Sequence, residues 1–504
     1  MLSPYLVKTL LSIIFWAAIS PLALAQIDSL TLPPRRLTIY DIEVGGLIAS
    51  GSRTPFWLQA NQFGIVPTNS PAGSVRVGIS ERFQLSTSHL NRSISYGIQA
   101  VGNAARTSAV LLPQAYVSLD LGHFSLWGGR KKEIIGLGDS TLSSGFYSWS
   151  GNALPITKLQ IGTNGFTPLG FTRGLVSVHA FFAHGWFANS DSIQQSYLHQ
   201  KALYVRIGRP DSRIRLTAGV LHNAQWGGHS AYLPALVAQN GQLPNSFKDY
   251  MYVLTAREGS ESDSPNLTEF DRVNRVGNHL GSIDFSAEMA LGQWQAMAYY
   301  QHPFEDKSGV VFVNMPDGLY GLTLKRQPTK SGGFQVRHIL LEYFNTMSQS
   351  GSLTHTGSRY DGQDDYFNNY QYLDGWAQKQ HVIGSPFLSR RADLRPERQN
   401  EQPSKRIWAI ANNRVQMGHL GLAGTIGQGI QWQTRLSMSL NYGTYRHPFD
   451  EPVSQFSGAA WLTWPLTWLG GSELKTAIAI DQGQLYENSV GGWVSIRKTL
   501  KTTK

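Results

Sequence analysis

No cysteine occurs in the 504 residues. In an exported chain this excludes a disulfide framework, a cysteine-based metal site and a thiol nucleophile. Beyond the first 25 residues no charge-free apolar run approaches the roughly 20 residues that a membrane-spanning helix needs. Charge is sparse as well: Asp, Glu, Lys and Arg make up 15% of the chain, with a formal balance of +10. A basic balance suits nucleic acid where the cations cluster, but there is no basic run and no basic–aromatic stripe. Acidic glycans or lipid head groups are therefore the expected partners, and nucleic acid is not.

The motifs that carry chemistry are missing too. His222 and His229 have neither an HExxH pattern nor a close carboxylate partner, so hydrogen-bonded loop histidines explain them. The stretch "DGQDD", Asp361 to Asp365, begins like a calcium loop but lacks the later Gly and bidentate Glu. "GLGDSTLSSG", from Gly136, has no Lys-Ser/Thr ending and no strand-to-helix context, so it reads as a loop folding toward the interior rather than a phosphate cradle. No nucleophile elbow is visible. The expectation is a protein without catalysis, metal or cofactor.

What is present points to a membrane reached through export. Residues 1–25 read as a signal peptide, with Lys8 in the n-region, an apolar run from Thr9 to Ile19, and Ala23-Leu24-Ala25 before the cleavage point. Gln26 to Arg36 then reads as a short lead-in stiffened by Pro33-Pro34. Hydrophobic residues make up 41% of the chain, with 51 Gly, 14 Trp, 21 Tyr and 22 Phe. That is too apolar and aromatic for a disordered chain.

Strand periodicity supplies the architecture. In "WQTRLSMSLNY", Trp432 to Tyr442, one face carries Trp432, Thr434, Leu436, Met438, Leu440 and Tyr442, and the other Gln433, Arg435, Ser437, Ser439 and Asn441. Aromatics at both ends of an apolar face suit a bilayer. Ten steps of about 3.3 Å, tilted by about 40°, give a height near the roughly 25 Å of an outer-membrane barrel's apolar band. The same alternation recurs at Val75 to Leu85, where Arg76 and Arg82 join the wet face with Arg435. It continues at Ile94 to Ala100, Ala115 to Leu121, Val176 to Phe182, Ile214 to Val220, Ile283 to Leu291 and Val490 to Ile496.

Tight turns at Gly122-His123, Arg209 to Ser212, Gly292-Gln293 and Gly427 to Gly429 alternate with long connections at Gly51 to Ser74, Lys132 to Pro155, His222 to Leu280 and Asn345 to Met417. Placing Ile407 to Asn413 in a long outer loop restores that alternation. The expected fold is all-β: a transmembrane antiparallel outer-membrane barrel of about eighteen strands over residues 37–504. Its chain ends are periplasmic, and long extracellular loops partly fill the lumen.

Several loop stretches are denser in aromatics, amides and Gly than a loop tip needs. They are "HNAQWGG" from His222, "VGNHLGSIDF" from Val276, "DGLYGLTLKRQPTKSGG" from Asp317, "EYFNTMSQSG" from Glu342, "DDYFNNYQYLDGWAQKQHVIGSP" from Asp364 and "NNRVQMGHLGL" from Asn412. In this order, from about Tyr40 onward, they resemble the Wzi-like capsule assembly family in its Bacteroidota-type form. The resemblance implies a monomeric, eighteen-stranded surface lectin in a Gram-negative outer membrane, holding capsular or extracellular polysaccharide and depending on the barrel assembly machinery for insertion. Two features depart from the family. The lead-in leaves no room for a periplasmic helical bundle, and "WVSIRKTLKTTK" lacks a terminal aromatic.

A sugar site needs aromatic platforms beside amides and carboxylates. The candidates are His222, Gln225, Trp226, Tyr366, Asn368, Asn369, Tyr370, Asp374 and Trp376. The competing explanation is that the same residues pin long loops by capping their backbone groups. Two rival functions stand beside the lectin. A porin or transporter for small polar solutes requires an open lumen, and a hydrolase requires a dispersed catalytic set.

Overall fold

The computed structural model describes residues 35–86, 92–257, 267, 275–327, 332–352, 360, 362–399, 409–427 and 429–504. The signal peptide, most of the lead-in, Asp361 and residues 400–408 lie outside them. One antiparallel sheet of 19 strands dominates, and one of these is the two-residue piece Thr167–Pro168, which leaves eighteen wall strands. The first nine are β1 Arg36–Ala49, β2 Ala72–Gln84, β3 Arg92–Ala104, β4 Ala109–Leu121, β5 Phe124–Arg130, β6 Thr157–Thr163, β7 Val176–Trp186, β8 Tyr197–Ile207 and β9 Ile214–Trp226. The second nine are β10 Asn278–Leu291, β11 Trp294–Phe304, β12 Gly318–Arg326, β13 Phe334–Asn345, β14 Val415–Ile426, β15 Ile430–Gly443, β16 Pro448–Leu466, β17 Ser472–Gly483 and β18 Ser489–Thr503. Each pairs with its neighbours in sequence, and β1 pairs with β18 from Leu37↔Thr503 to Ala49↔Gly491. The wall therefore closes, as a bilayer demands, because an open sheet edge in hydrocarbon leaves its backbone groups without partners.

The faces on β15 fall where the alternation puts them. Met438 is 52% exposed, with Leu436 and Leu440 exposed beside it. Arg435 is 8% exposed, and Ser437, Ser439 and Asn441 are buried. Trp432 is covered by a stacked ring, Phe334 of β13, at 4.8 Å. Phe124, Phe171 and Trp468 stand exposed at one rim, and Trp186 and Tyr343 at the other, like the aromatic girdles of membrane barrels.

Arg36 and Lys504 bond each other at the rim that also carries the tight turns. The opposite rim carries the long connections 50–71, 131–156, 227–277 and 346–414, although 105–108, 444–447 and 484–488 there are short. Ile410–Asn412 pairs with Ser389–Arg390 in a separate two-stranded sheet and stays out of the wall, as the alternation requires. One boundary needs correcting. His222, Gln225 and Trp226 lie on β9 rather than in a loop, with His222 opposite Gly281 and Gln225 opposite Asn278 of β10. Their apolar–polar alternation breaks down because both faces are covered above the membrane zone, where period two no longer marks a strand.

Candidate functional site

The polar inner face of the wall does specific work at the long-loop end. Connection 131–156 crosses the lumen, and inward side chains of six consecutive strands grip it. Asp284 of β10 accepts from the Leu137 amide at 3.0 Å. Gln301 of β11 accepts from the Tyr147 amide and donates to the Leu137 carbonyl, both at 3.0 Å. Glu342 of β13 accepts from Ser143 Oγ at 2.7 Å and from the Ser144 amide at 2.6 Å. His419 of β14 meets the Leu142 carbonyl at 2.9 Å, and Arg435 of β15 donates to the Thr141 carbonyl at 2.7 Å.

From the plug's side, fully buried Asp139 receives Thr323 Oγ1 and Lys325 Nζ of β12, each at 3.0 Å, together with His338 of β13. Burial alone would raise this carboxyl. Hydrogen bonds from His338 and Thr141, with the Lys325 charge, outweigh burial and hold it well below the usual carboxylate range. A buried backbone segment without such partners would be strongly unfavourable, so these contacts are what let a loop cross a barrel.

A second layer covers the first. Trp376 Nε1 donates to the Ser148 carbonyl at 2.9 Å, the Ser150 amide to the Ile383 carbonyl at 3.0 Å, and the Ser385 amide to the Tyr147 carbonyl at 2.9 Å. Gly384 permits this approach, since a Cβ there would lie 1.9 Å from the Tyr147 oxygen. The two connections share one hydrophobic cluster containing Trp57, Tyr147, Trp149, Phe367 and Trp376.

The predicted sugar-site residues are therefore not one open site. Trp376 is 0% exposed, flanked by Trp149 and Phe187. Tyr366, equally buried, donates to Asp317 Oδ2 at 2.9 Å and accepts from Asn314 at 2.7 Å. Asn368 bonds both the amide and the carbonyl of Ile410, at 3.1 and 3.0 Å. Trp226, 5% exposed, packs between Tyr197 and Tyr250, the latter on the helix α1 Phe247–Thr255. Gln225 donates to Ser196 at 2.9 Å, and His222 meets His279 at 2.9 Å. Neither these two indoles nor this phenol offers an open ring face; they pack within the layer that covers the barrel mouth. The physical reason is that a loop layer inside a barrel has its own core, and aromatics build it.

Asn369, Tyr370 and Asp374 are only partly covered. Asn369 reaches Asn278 of β10 at 3.2 Å, and Asp374 accepts from Ser190. Arg446, exposed in the β15–β16 turn, lies over the Tyr370 ring at 5.4 Å and pairs with Asp365 at 3.5 Å. Beside it, Arg414 lies over Tyr445 at 3.9 Å. Sequence reading missed Arg446 and Arg414, because isolated arginines near tight turns carry no pattern of their own. Asp364, next in line, is pushed up to about 7 by burial, with the Asp306 charge adding to the effect. Among the described residues no group of three or more His, Asp or Glu side chains is placed to hold a metal ion.

A closed, lipid-faced antiparallel wall with a polar, loop-filled interior defines an outer-membrane-type β-barrel. No family model and no curated protein matches the sequence. Among solved structures the fold is similar to Wzi of Escherichia coli, described as an outer-membrane protein involved in group 1 capsule assembly and a carbohydrate-binding β-barrel. The TM-score is 0.55 at 14% identity, over 91% of this chain and 84% of that one. Two Pseudomonas aeruginosa proteins, OccK11 (OpdR) and OccK3 (OpdO), align with TM-scores of 0.44 and 0.45 at 8% identity. They cover 93% of this chain in each case, and 96% and 97% of their own lengths.

Proposed function

We propose that this chain is an outer-membrane polysaccharide-binding protein whose long loops face the cell surface and hold capsular or extracellular polysaccharide there. The observation that carries the reading is the two-layer loop plug, gripped by six wall strands, which opposes free diffusion through the lumen. The ligand class is taken from the Escherichia coli barrel of the same fold, described as carbohydrate-binding. The contact surface on this reading is the partly open patch of Asn369, Tyr370 and Arg446, with Asp374 at its margin. Tyr370 with its guanidinium neighbour offers a stacking face and a cation for an acidic sugar.

The test is binding of purified cell-surface polysaccharide to the detergent-solubilised barrel and to Tyr370→Ala and Arg446→Gln. Both variants are expected to fold and to weaken binding several-fold. The Arg446 contribution should fade as salt rises past the range where the Debye length is about 8 Å, while the stacking contribution persists. Wild-type affinity in both variants at every salt concentration would remove the patch.

A further inference from the structure

Below the plug, toward the tight-turn rim, the lumen is not filled. A cavity of about 530 Å³ is walled by six adjacent strands, β3 to β8, and roofed by residues 131–137. The roof is fixed, because Leu137 is held on both its amide and its carbonyl by Asp284 and Gln301. Above it lies the hydrophobic cluster of the plug. Residues 131–137 thus close the cavity on its loop side. Its volume suits two or three linked sugar rings, within the roughly 300–1,000 Å³ of small-ligand sites.

The lining has the chemistry of a sugar site. Hydroxyls come from the inward face of β3 to β5 at Ser95, Ser118 and Ser125, and Asp120 accepts from Ser125 at 2.8 Å. Gln160 of β6 contributes an amide whose Oε1 has no partner among the described residues. Opposite them stand Phe166 and His179, both partly exposed, at 5.6 Å; Arg206 lies over one face of Phe166 at 3.7 Å, and His179 stacks at 6.3 Å on Tyr204, which is buried behind it.

The charge in the chamber is biased. Glu133 is neutralised by Lys158 at 2.9 Å, which leaves Asp120 against two roof cations, Lys131 and Lys132. Lys132 is taken up by Gln99 at 2.6 Å, while Lys131 lies over Tyr116 and Trp127 at 5.2 and 5.5 Å and borders the chamber. Hydroxyls and an amide on one side, aromatic faces on the other and a cation overhead fit a polyhydroxylated anion.

We propose that this chamber is a second saccharide site, distinct from the loop patch and opening at the opposite end of the barrel, and that it takes a short acidic oligosaccharide bearing uronic acids. It goes beyond the surface-binding reading and does not depend on it.

The absence of native cysteine allows a direct test. Ser125→Cys inside the chamber and Asn369→Cys on the loop patch are each labelled with a maleimide dye in the folded, detergent-solubilised protein. Trigalacturonate and maltotriose serve as acidic and neutral probes, and heat-modifiable mobility confirms folding. Trigalacturonate at ten times its Kd is expected to slow labelling of Ser125→Cys roughly tenfold by occupancy. Maltotriose should protect less, and adding Gln160→Ala with His179→Ala should abolish the protection. If neither trisaccharide protects Ser125→Cys at millimolar concentration the site is overturned, and equal or better protection by maltotriose overturns its acidic preference. Labelling at Asn369→Cys reports the surface patch separately, so the two readings fail independently.

Discussion

The two ends of the barrel use the same kind of inner face in opposite ways. Toward the long-loop end, inward side chains from β10 to β15 give their hydrogen bonds to 131–156, with Lys325 reaching up from the tight-turn end, and the apolar residues of that connection join one buried cluster. At the tight-turn end, inward Ser95, Ser125 and Gln160 border open space, and a second cavity of about 440 Å³ lies among Arg215, Glu288 and Lys325. A polar barrel lining does not by itself make a channel. What decides is whether a connecting loop supplies enough orphan amides and carbonyls to occupy it.

The largest expected effect is on the filled end. Trp376→Ala removes the indole that joins the two plug layers and should destabilise them by about 3–5 kcal/mol, as large-to-small changes in packed cores do. Hydrogen exchange at 147–151 and 383–385 should report the loss, while the wall amides of β2 and β3 stay protected. Uniform loosening of wall and plug would break the distinction between the two regions.

The next effects compare the two faces of one strand. Met438→Arg on the lipid face of β15 should cost about 2–4 kcal/mol near the bilayer midplane. Arg435→Gln, which alternation alone makes nearly neutral, should cost about 1–3 kcal/mol because it strands the Thr141 carbonyl in a buried site. Urea-dependent folding into lipid vesicles measures both. A neutral Arg435→Gln would mean the plug is not held from β15.

The smallest effect is a pH response in the loop layer. The Asp364 carboxyl, raised to about 7 from 3.8, favours the protonated form when folded. Its contribution is therefore fully present below the unfolded value and is lost as pH rises through about 7. Protection of amides 308–313, corrected for intrinsic exchange, should fall between pH 5 and pH 8. The same profile in Asp364→Asn would assign the response elsewhere.

The wall was largely legible in the sequence because a bilayer imposes a strict rule. Leu436, Met438 and Leu440 must point one way and Ser437, Ser439 and Asn441 the other, and period two records it. The interior was less legible. "GLGDSTLSSG" signalled a loop turned inward, but nothing local announces that Asp139 meets His338, 199 residues away. Mid-strand carboxylates such as Asp284 and Glu342 were the available hint, since a charge on an inner face needs a partner. The loop residues are ambiguous for a related reason. Trp226, Tyr366 and Trp376 have the composition of a sugar site and of a small aromatic core alike, and only burial separates the two. Arg446 beside Tyr370 could not be read at all, because the pair is made by two connections 76 residues apart.

The loop plug closes the barrel from one end. Single-channel recording of the purified protein in a planar bilayer tests it most directly. No steady conductance steps are expected from the wild type, and steps are expected in a variant that lacks 137–148, provided heat-modifiable mobility shows its wall intact. Stable, porin-sized conductance from the wild-type barrel would show that the plug leaves the lumen open.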